Sequence, residues 1–293
     1  MERTGGQASI GIAEVITWPI QFNAYGHDVN FKLELDPDDP YDAFMIYHFQ
    51  NNLMFEVELV WVMLRTLLKG DIAIDIGANH GLFTIIMSQL VGSLGLVVAC
   101  EPASTNLPLL GRHLEINKVD NVQIVKNPIW CQNEEVTFWL NSDCRGSNAL
   151  FDPGNWFNNQ KSRDNPQPIK MQAITLDSFD VAKEKIKLIK IDTEGAEQKI
   201  LEGAKDLLEK YHPPYILSEL NPHGMAQAGN DDDSLREFMR GYGYEMFFLH
   251  SADVLPAYVP SQVKSIHKDG VVVSNVMFAS MADMAKAWPE MLG

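Results

Sequence analysis

Apolar residues fall along this chain in two styles, short continuous runs and longer stretches at helical spacing. Ile72, Ala73, Ile74 and Ile76 form a near-continuous run, which predicts a central parallel strand buried on both faces. Similar runs predict strands at Leu96–Cys100, Val122–Val125, Ile186–Ile191, 215–217, 244–249 and 271–278. Residues 135–140 alternate instead, Val136, Phe138 and Leu140 against Glu135, Thr137 and Trp139. Phe31, Leu33 and Leu35 alternate with Lys32, Glu34 and Asp36, which predicts a short amphipathic strand. Helical spacing appears at Leu59, Val62, Met63, Leu67 and Leu68, with Lys69-Gly70 as the expected end. Further helices are expected over 82–90, from a Ser104 or Thr105 cap to about Lys118, over 196–210 and over 234–240. Trp18-Pro19 and residues 36–40 read as turns. Alternating β and α units with a closing pair of strands predict an α/β fold. Its sheet is seven-stranded and mostly parallel, with helices on both faces.

The first 69 residues read as an N-terminal, largely helical cap, and 70–293 as the main domain. Residues 141–168 break the pattern, dense in Asn, Asp, Gly, Ser and Pro. This insertion, at about 141–170, is expected to be a substrate lid or rim, with Trp156 and Phe157 offering a stacking surface.

Charge narrows the partners. The chain carries 39 acidic and 23 basic residues, net −16, which argues against a nucleic-acid backbone or an anionic membrane surface. Three cysteines with no C-x-x-C pair fit a reducing, cytoplasmic setting and no zinc site. The N-terminus lacks a basic start followed by an apolar core, so no signal peptide is expected. Residues 81–100 are uncharged and about long enough to span a bilayer. However, Ser88, Gln89, Gly92, Ser93 and Gly95 divide them into helix, turn and strand, and no transmembrane segment is expected.

The candidate chemistry sits at the carboxyl ends of the strands, where open α/β sheets bind ligands. Asp75 and Glu101 stand there, and Gly77 and Gly81 frame Ala78, Asn79 and His80. The dinucleotide fingerprint would need glycines at 79 and 82, where this chain has Asn79 and Leu82. A diphosphate beside Asp75 would also meet like charge. A cationic ligand fits better, and S-adenosyl-L-methionine (SAM) carries an ammonium and a sulfonium with no phosphate. Glu101 can accept hydrogen bonds from both ribose hydroxyls.

Farther on, the strand Ile186–Ile191 delivers Asp192-Thr193-Glu194-Gly195, and the next delivers Ser218-Glu219-Leu220-Asn221-Pro222-His223. Asp192, Glu194 and Glu219 are the candidate catalytic trio for acceptor binding and proton removal. Their clustering favours a raised pKa. His223 is the candidate base among the histidines, ahead of His80, His250 and His267. The trio also offers the oxygen ligands that a divalent cation takes; no metal is assigned to it.

These motifs resemble the FkbM family of methyltransferases. The matching pieces are Asp75-Ile76-Gly77-Ala78-Asn79-His80-Gly81, Glu101-Pro102 with Asn106 and Asn117, and Thr175-Leu176-Asp177. Lys190-Ile191-Asp192-Thr193-Glu194-Gly195-Ala196-Glu197 with Leu201-Glu202-Gly203-Ala204 is the strongest, and Ser218-Glu219-Leu220-Asn221 and Asn275-Val276-Met277-Phe278 follow. The resemblance covers about residues 70–280. It implies a Rossmann-like class I methyltransferase fold and SAM-dependent O-methylation of a hydroxyl on a sugar, glycolipid or secondary metabolite. It also implies a cofactor set of Asp75, Gly77, Ala78, Asn79, Gly81, Glu101, Pro102, Asn106 and Asn127, with Asn127 beside the adenine; Glu56, outside the matched stretch, joins the set because Phe55-Glu56 can reach the pocket. The alternatives are a non-catalytic SAM-binding module and an N-methyltransferase, though no Asn-Pro-Pro-aromatic motif follows the fourth strand. A nicotinamide oxidoreductase is disfavoured by the glycine spacing. The chain is compatible with a homo-oligomer.

Overall fold

The computed structural model describes residues 15–141, 144–152, 166–250, 256–258 and 273–292. It opens with an antiparallel hairpin, β1 (Ile16–Ala24) and β2 (His27–Leu35). Tyr25 and Gly26, both at positive φ, make the tight turn that suits twisted strands. Trp18-Pro19 therefore lies inside a strand, not in the expected turn. Pro19 is tolerated because a two-stranded sheet has only edge strands. Val29, Phe31, Leu33 and Leu35 of β2 are buried. Next come α1 (Pro40–Gln50), capped by the Asp39 carboxylate, and α2 (Val57–Thr66). The second helix stops at Thr66, ahead of the Lys69-Gly70 end read from the sequence. Lys69 instead donates to the Gln89 carbonyl, and Gly70, at φ +95°, turns the chain into the sheet.

The β3 (Ile72–Ile76), α3 (Leu82–Val91), β4 (Leu96–Cys100) unit forms as its pattern predicts. Helix α4 (Leu107–Ile116) starts two or three residues after the expected caps, because Pro108 sets its first turn and Asn106 takes the cap position. Strand β5 (Val122–Val125) completes one side of the sheet. β6 (Glu135–Leu140) pairs with β7 (Gln167–Gln172) as a separate hairpin, so the insertion ends in a strand that its composition hid.

After β8 (Ile186–Ile191), the helix expected over 196–210 breaks in two. α5 (Glu197–Glu202) ends at Gly203, whose missing side chain lets the Trp130 carbonyl close in: a Cβ there would lie 2.2 Å from that oxygen. The Asp177 carboxylate then accepts the Asp206 and Leu207 N–H groups and starts a separate π-helical turn over Leu207–Tyr211. The rest of the chain runs β9 (Tyr215–Leu220), α6 (Pro222–Gln227), α7 (Asp232–Arg240), β10 (Glu245–Phe248), β11 (Ala257–Tyr258), β12 (Ser274–Ala279) and α8 (Met281–Ala287).

The main sheet has the order β11-β10-β12-β9-β8-β3-β4-β5. All seven expected strands are present, joined by the two-residue β11 at one edge. The last strand, β12, inserts antiparallel between β9 and β10, while β3, β4, β5, β8 and β9 are parallel. This is the mostly parallel sheet of the class I methyltransferase fold. Successive β3 side chains feed opposite faces: Ala73 joins one core with α3, α2 and the N-terminal hairpin, and Ile74 joins the other with α5 and β9. Among the described residues no helix is long and apolar enough to cross a membrane. Trp156, Phe157 and His267 lie outside the described residues, as does most of the stretch read as a lid.

Candidate active site

The site begins at the end of β3. Gly77 turns at φ +79°, and an added Cβ would lie 1.8 Å from the Asp192 carbonyl oxygen. The turn and the end of β8 are therefore packed backbone to backbone, reinforced by Asp192 N–H donating to the Ile76 carbonyl at 3.0 Å. Asn79 sits at φ +51°, a conformation its short polar side chain tolerates. Its N–H donates to Glu101 Oε2 at 2.7 Å, and the Ala103 N–H donates to Oε1 at 2.8 Å. Glu101 is buried, which raises its carboxyl to about 7 against the pull of those two N–H groups. Each oxygen accepts one backbone bond and keeps lone-pair capacity for a ligand.

A cavity of about 340 Å³ opens over this turn, within the range of small-molecule sites. Gly77, Ala78, Asn79, Glu101, Pro102, Asn106 and Asn127 line it, as do Glu56, Asp192, Glu194 and Glu219. Asn106 Nδ2 donates to the Arg145 carbonyl and Asn127 Nδ2 to the Gln172 carbonyl. Three expected residues do not line it. Asp75 is 0% exposed and sits beneath the floor, receiving Thr84 Oγ1 at 2.6 Å, with Lys190 Nζ 3.5 Å away. Next to last in a fully buried strand, its side chain is turned toward Thr84 and Lys190 and lies off the cavity lining. Gly81, at φ +96°, starts α3 against Leu110 and is likewise outside the lining. His223 is on α6, also off the lining, with Nε2 2.9 Å from Gln227 Nε2.

The acids at the ends of β8 and β9 form one cluster. Glu197 organises the turn before α5: its Oε1 accepts from Thr193 N–H, Thr193 Oγ1 and Gly195 N–H. This holds Glu194 at φ +59°, with its Oε2 receiving Asn221 Nδ2 at 2.6 Å. Glu56 enters from the N-terminal region at φ +44°, immediately before α2. Burial, and then the Asp192 charge, raises Glu56 and Glu194 to about 8 and Glu219 well above the usual carboxylate range. The Oε2 atoms of Glu56 and Glu219 have no protein partner. Among the described residues no group of His, Cys, Asp and Glu is arranged to hold a metal ion.

Lys190 is the residue to which sequence reasoning gave no role. It is 2% exposed, with Nζ 3.1 Å from Asp192 and 3.5 Å from Asp75. Burial alone would lower its pKa, but Asp192, Asp75 and Glu56 together push it up. The signal was present, since a lysine in a fully buried strand needs a charged partner. Tyr41 and Arg145 also line the cavity unforeseen. Arg145 is held by Asp39 at 3.1 Å and Asp42 at 3.6 Å. His80, read as a turn residue, is buried beside Met45 and Asp42, and burial lowers its pKa well below the ordinary value.

Methyltransferase 1 of Beauveria bassiana (strain ARSEF 2860) is 26% identical over 146 residues, 45% of this chain and 58% of that protein. The chain thus spans just over half the length of that relative. A Streptococcus mutans protein solved in complex with SAH aligns at 15% identity and TM-score 0.42, covering 78% of this chain and 99% of that one. A SAM-dependent methyltransferase from Aquifex aeolicus aligns at 12% identity and TM-score 0.41, covering 83% and 93%. The methyltransferase FkbM domain matches residues 75–246, from the acid under the glycine turn to β10 and through Asp192, Glu194 and Glu219. With more than half of its length matched, this chain belongs to the FkbM methyltransferase domain family.

Proposed function

We propose that this protein transfers a methyl group from SAM to a hydroxyl oxygen of a sugar, glycolipid or other small-molecule acceptor. One observation carries the reading: a single cavity holds Glu101 at the end of β4 and the Asp192, Glu194 and Glu219 group at the ends of β8 and β9, with the Gly77 turn between. The donor set fits SAM. Glu101 has acceptor capacity for two ribose hydroxyls, and Asn79, Pro102, Asn106 and Asn127 surround that end. Asp192 supplies negative charge toward the ammonium and sulfonium, and Glu56 adds oxygen acceptors beside it. A diphosphate fits poorly, because Lys190 and Arg145 are already engaged by carboxylates. The SAH in the Streptococcus mutans protein supports the same reading.

When bound, SAM supplies an electrophilic methyl group. The chain's own work is to align the acceptor oxygen and remove its proton. Glu194, raised to about 8 by burial, is suited to take that proton near neutral pH, with Asn221 fixing its other oxygen. Glu219, with its carboxyl raised by burial well above the usual carboxylate range, lines the same space beside Glu194 and helps to position the acceptor. A hydroxyl needs such a base, because a neutral alcohol is a weak nucleophile; this favours O- over N-methylation. Tyr41, Phe44, Phe55 and Glu56, from α1 and the segment before α2, wall one side of the cavity and help choose the acceptor. Three cysteines with no C-x-x-C spacing favour a reducing compartment, and we place the protein in the cytoplasm.

Calorimetry against SAM, SAH and NAD, followed by transfer of a tritiated methyl group to a panel of hydroxylated glycans and metabolites, tests this. Binding of NAD in place of SAM overturns the reading. Binding of SAM with no transfer across the panel favours a non-catalytic module.

A further inference from the structure

Helix α1 buries Met45, Ile46 and Phe49 yet leaves large rings on its other side, with Phe44 55% and Tyr47 60% exposed. These rings are not isolated. Phe44 stands edge-on to His48 at 4.5 Å and to Phe55 at 6.0 Å, and Tyr47 stands edge-on to His48 at 5.9 Å. Phe55 is buried and, like Phe44, lines the cavity. A continuous series of rings therefore runs from the cavity wall beside Glu56 out to the surface. Edge-to-face geometry fixes the rings and leaves the faces of the outer ones available for stacking.

Resting on the methyltransferase reading above, we propose that Phe44, Tyr47, His48 and Phe55 form the acceptor platform, and that the acceptor is an uncharged hydroxyl compound with a flat ring face. The charge pattern selects against anions. Glu56, Asp192, Glu194 and Glu219 face the adjoining space, and its two cations are taken by Asp75, Asp192, Asp39 and Asp42. A phosphate or carboxylate near the reacting hydroxyl would meet these acids and, among the described residues lining the cavity, no free cation. A neutral ring, whether a sugar or a hydroxylated arene, gains contact area at little desolvation cost.

The test uses the full chain saturated with SAM and three probe sets: 4-nitrophenyl glycosides, hydroxylated arenes such as 2-naphthol, and sugar phosphates. Saturation-transfer NMR reads which probe protons touch the protein. The neutral probes give signals on ring protons, and the sugar phosphates give none. Phe44→Ala combined with Tyr47→Ala weakens neutral-probe binding by about tenfold, through the loss of two stacking contacts. Circular dichroism and the thermal melt of the double variant, both close to wild type, show the fold intact. Signals from sugar phosphates equal to the neutral set, or neutral binding unchanged in the double variant, overturn the platform. So do neutral probes that give no signal while SAM binds, and this outcome leaves the methyltransferase reading standing. Failure of SAM itself to bind removes both.

Discussion

Replacing Lys190 with methionine keeps the volume and removes the cation at the centre of the site. In the native protein Lys190 Nζ lies 3.5 Å from Asp75 and 3.1 Å from Asp192, and the ammonium and Asp75 are both shut off from solvent. At an effective dielectric of about 20, each pair is worth roughly 5 kcal/mol of attraction before desolvation is subtracted. Removing one partner of a buried pair typically costs about 3–5 kcal/mol, because the other charge is stranded. For a domain of this size, about 2 °C per kcal/mol translates that into a Tm drop of roughly 6–10 °C. Urea unfolding followed by tryptophan fluorescence measures the loss, and buried Trp288 is a native-state reporter. The pH dependence has a fixed sign. Asp75 is already raised by burial, and Lys190 is what pulls it back, so Lys190→Met raises it further. A raised acid contributes stability at low pH that is lost as pH rises. The deficit of Lys190→Met is therefore largest near pH 8 and smaller near pH 5. Adding Asp75→Asn, which removes the stranded charge, recovers part of the loss at pH 8. A single variant within about 0.5 kcal/mol of wild type at pH 8, or no recovery in the double variant, refutes the buried-cation argument.

Gly77→Ala forces a Cβ to 1.8 Å from the Asp192 carbonyl oxygen at positive φ; a loss of about 2–4 kcal/mol and of SAM binding is expected by denaturation and calorimetry. Glu101→Gln sets an amide N–H against the Asn79 or Ala103 N–H and removes a charge-assisted acceptor, so SAM affinity should fall about 10- to 100-fold. Glu194→Gln should lower kcat by about 100-fold or more with SAM affinity nearly unchanged; an unchanged kcat removes its base role. Glu56 and Glu194 shift from 4.5 to about 8 on folding, so ligand-free stability should decline between about pH 5 and 8, by up to about 1.4 kcal/mol per pH unit for each group. Thermal melts across that range should show the decline, and Glu56→Gln with Glu194→Gln should flatten it.

The apolar runs of β3, β4, β8 and β9 and the glycine turn between β3 and α3 were legible in the sequence because their causes are local. A strand buried on both faces has no polar side to show, and a positive φ beside a close backbone approach calls for glycine. The presence of Asp75, Glu101, Asp192, Glu194 and Glu219 at one sheet edge was legible for the same reason, since each ends or nearly ends a readable strand. Which of them face the cavity was decided by tertiary structure alone. Asp75 points into the core because Lys190, from a neighbouring strand distant in sequence, meets it there. Gly203 breaks a helix that its own segment would continue, because the Trp130 carbonyl presses on it from another part of the chain. Strand β7 forms inside a polar insertion because β6 offers it a partner. Burial, charge pairing and strand partnership are set by what lies opposite in space, and no local pattern of residues carries that information.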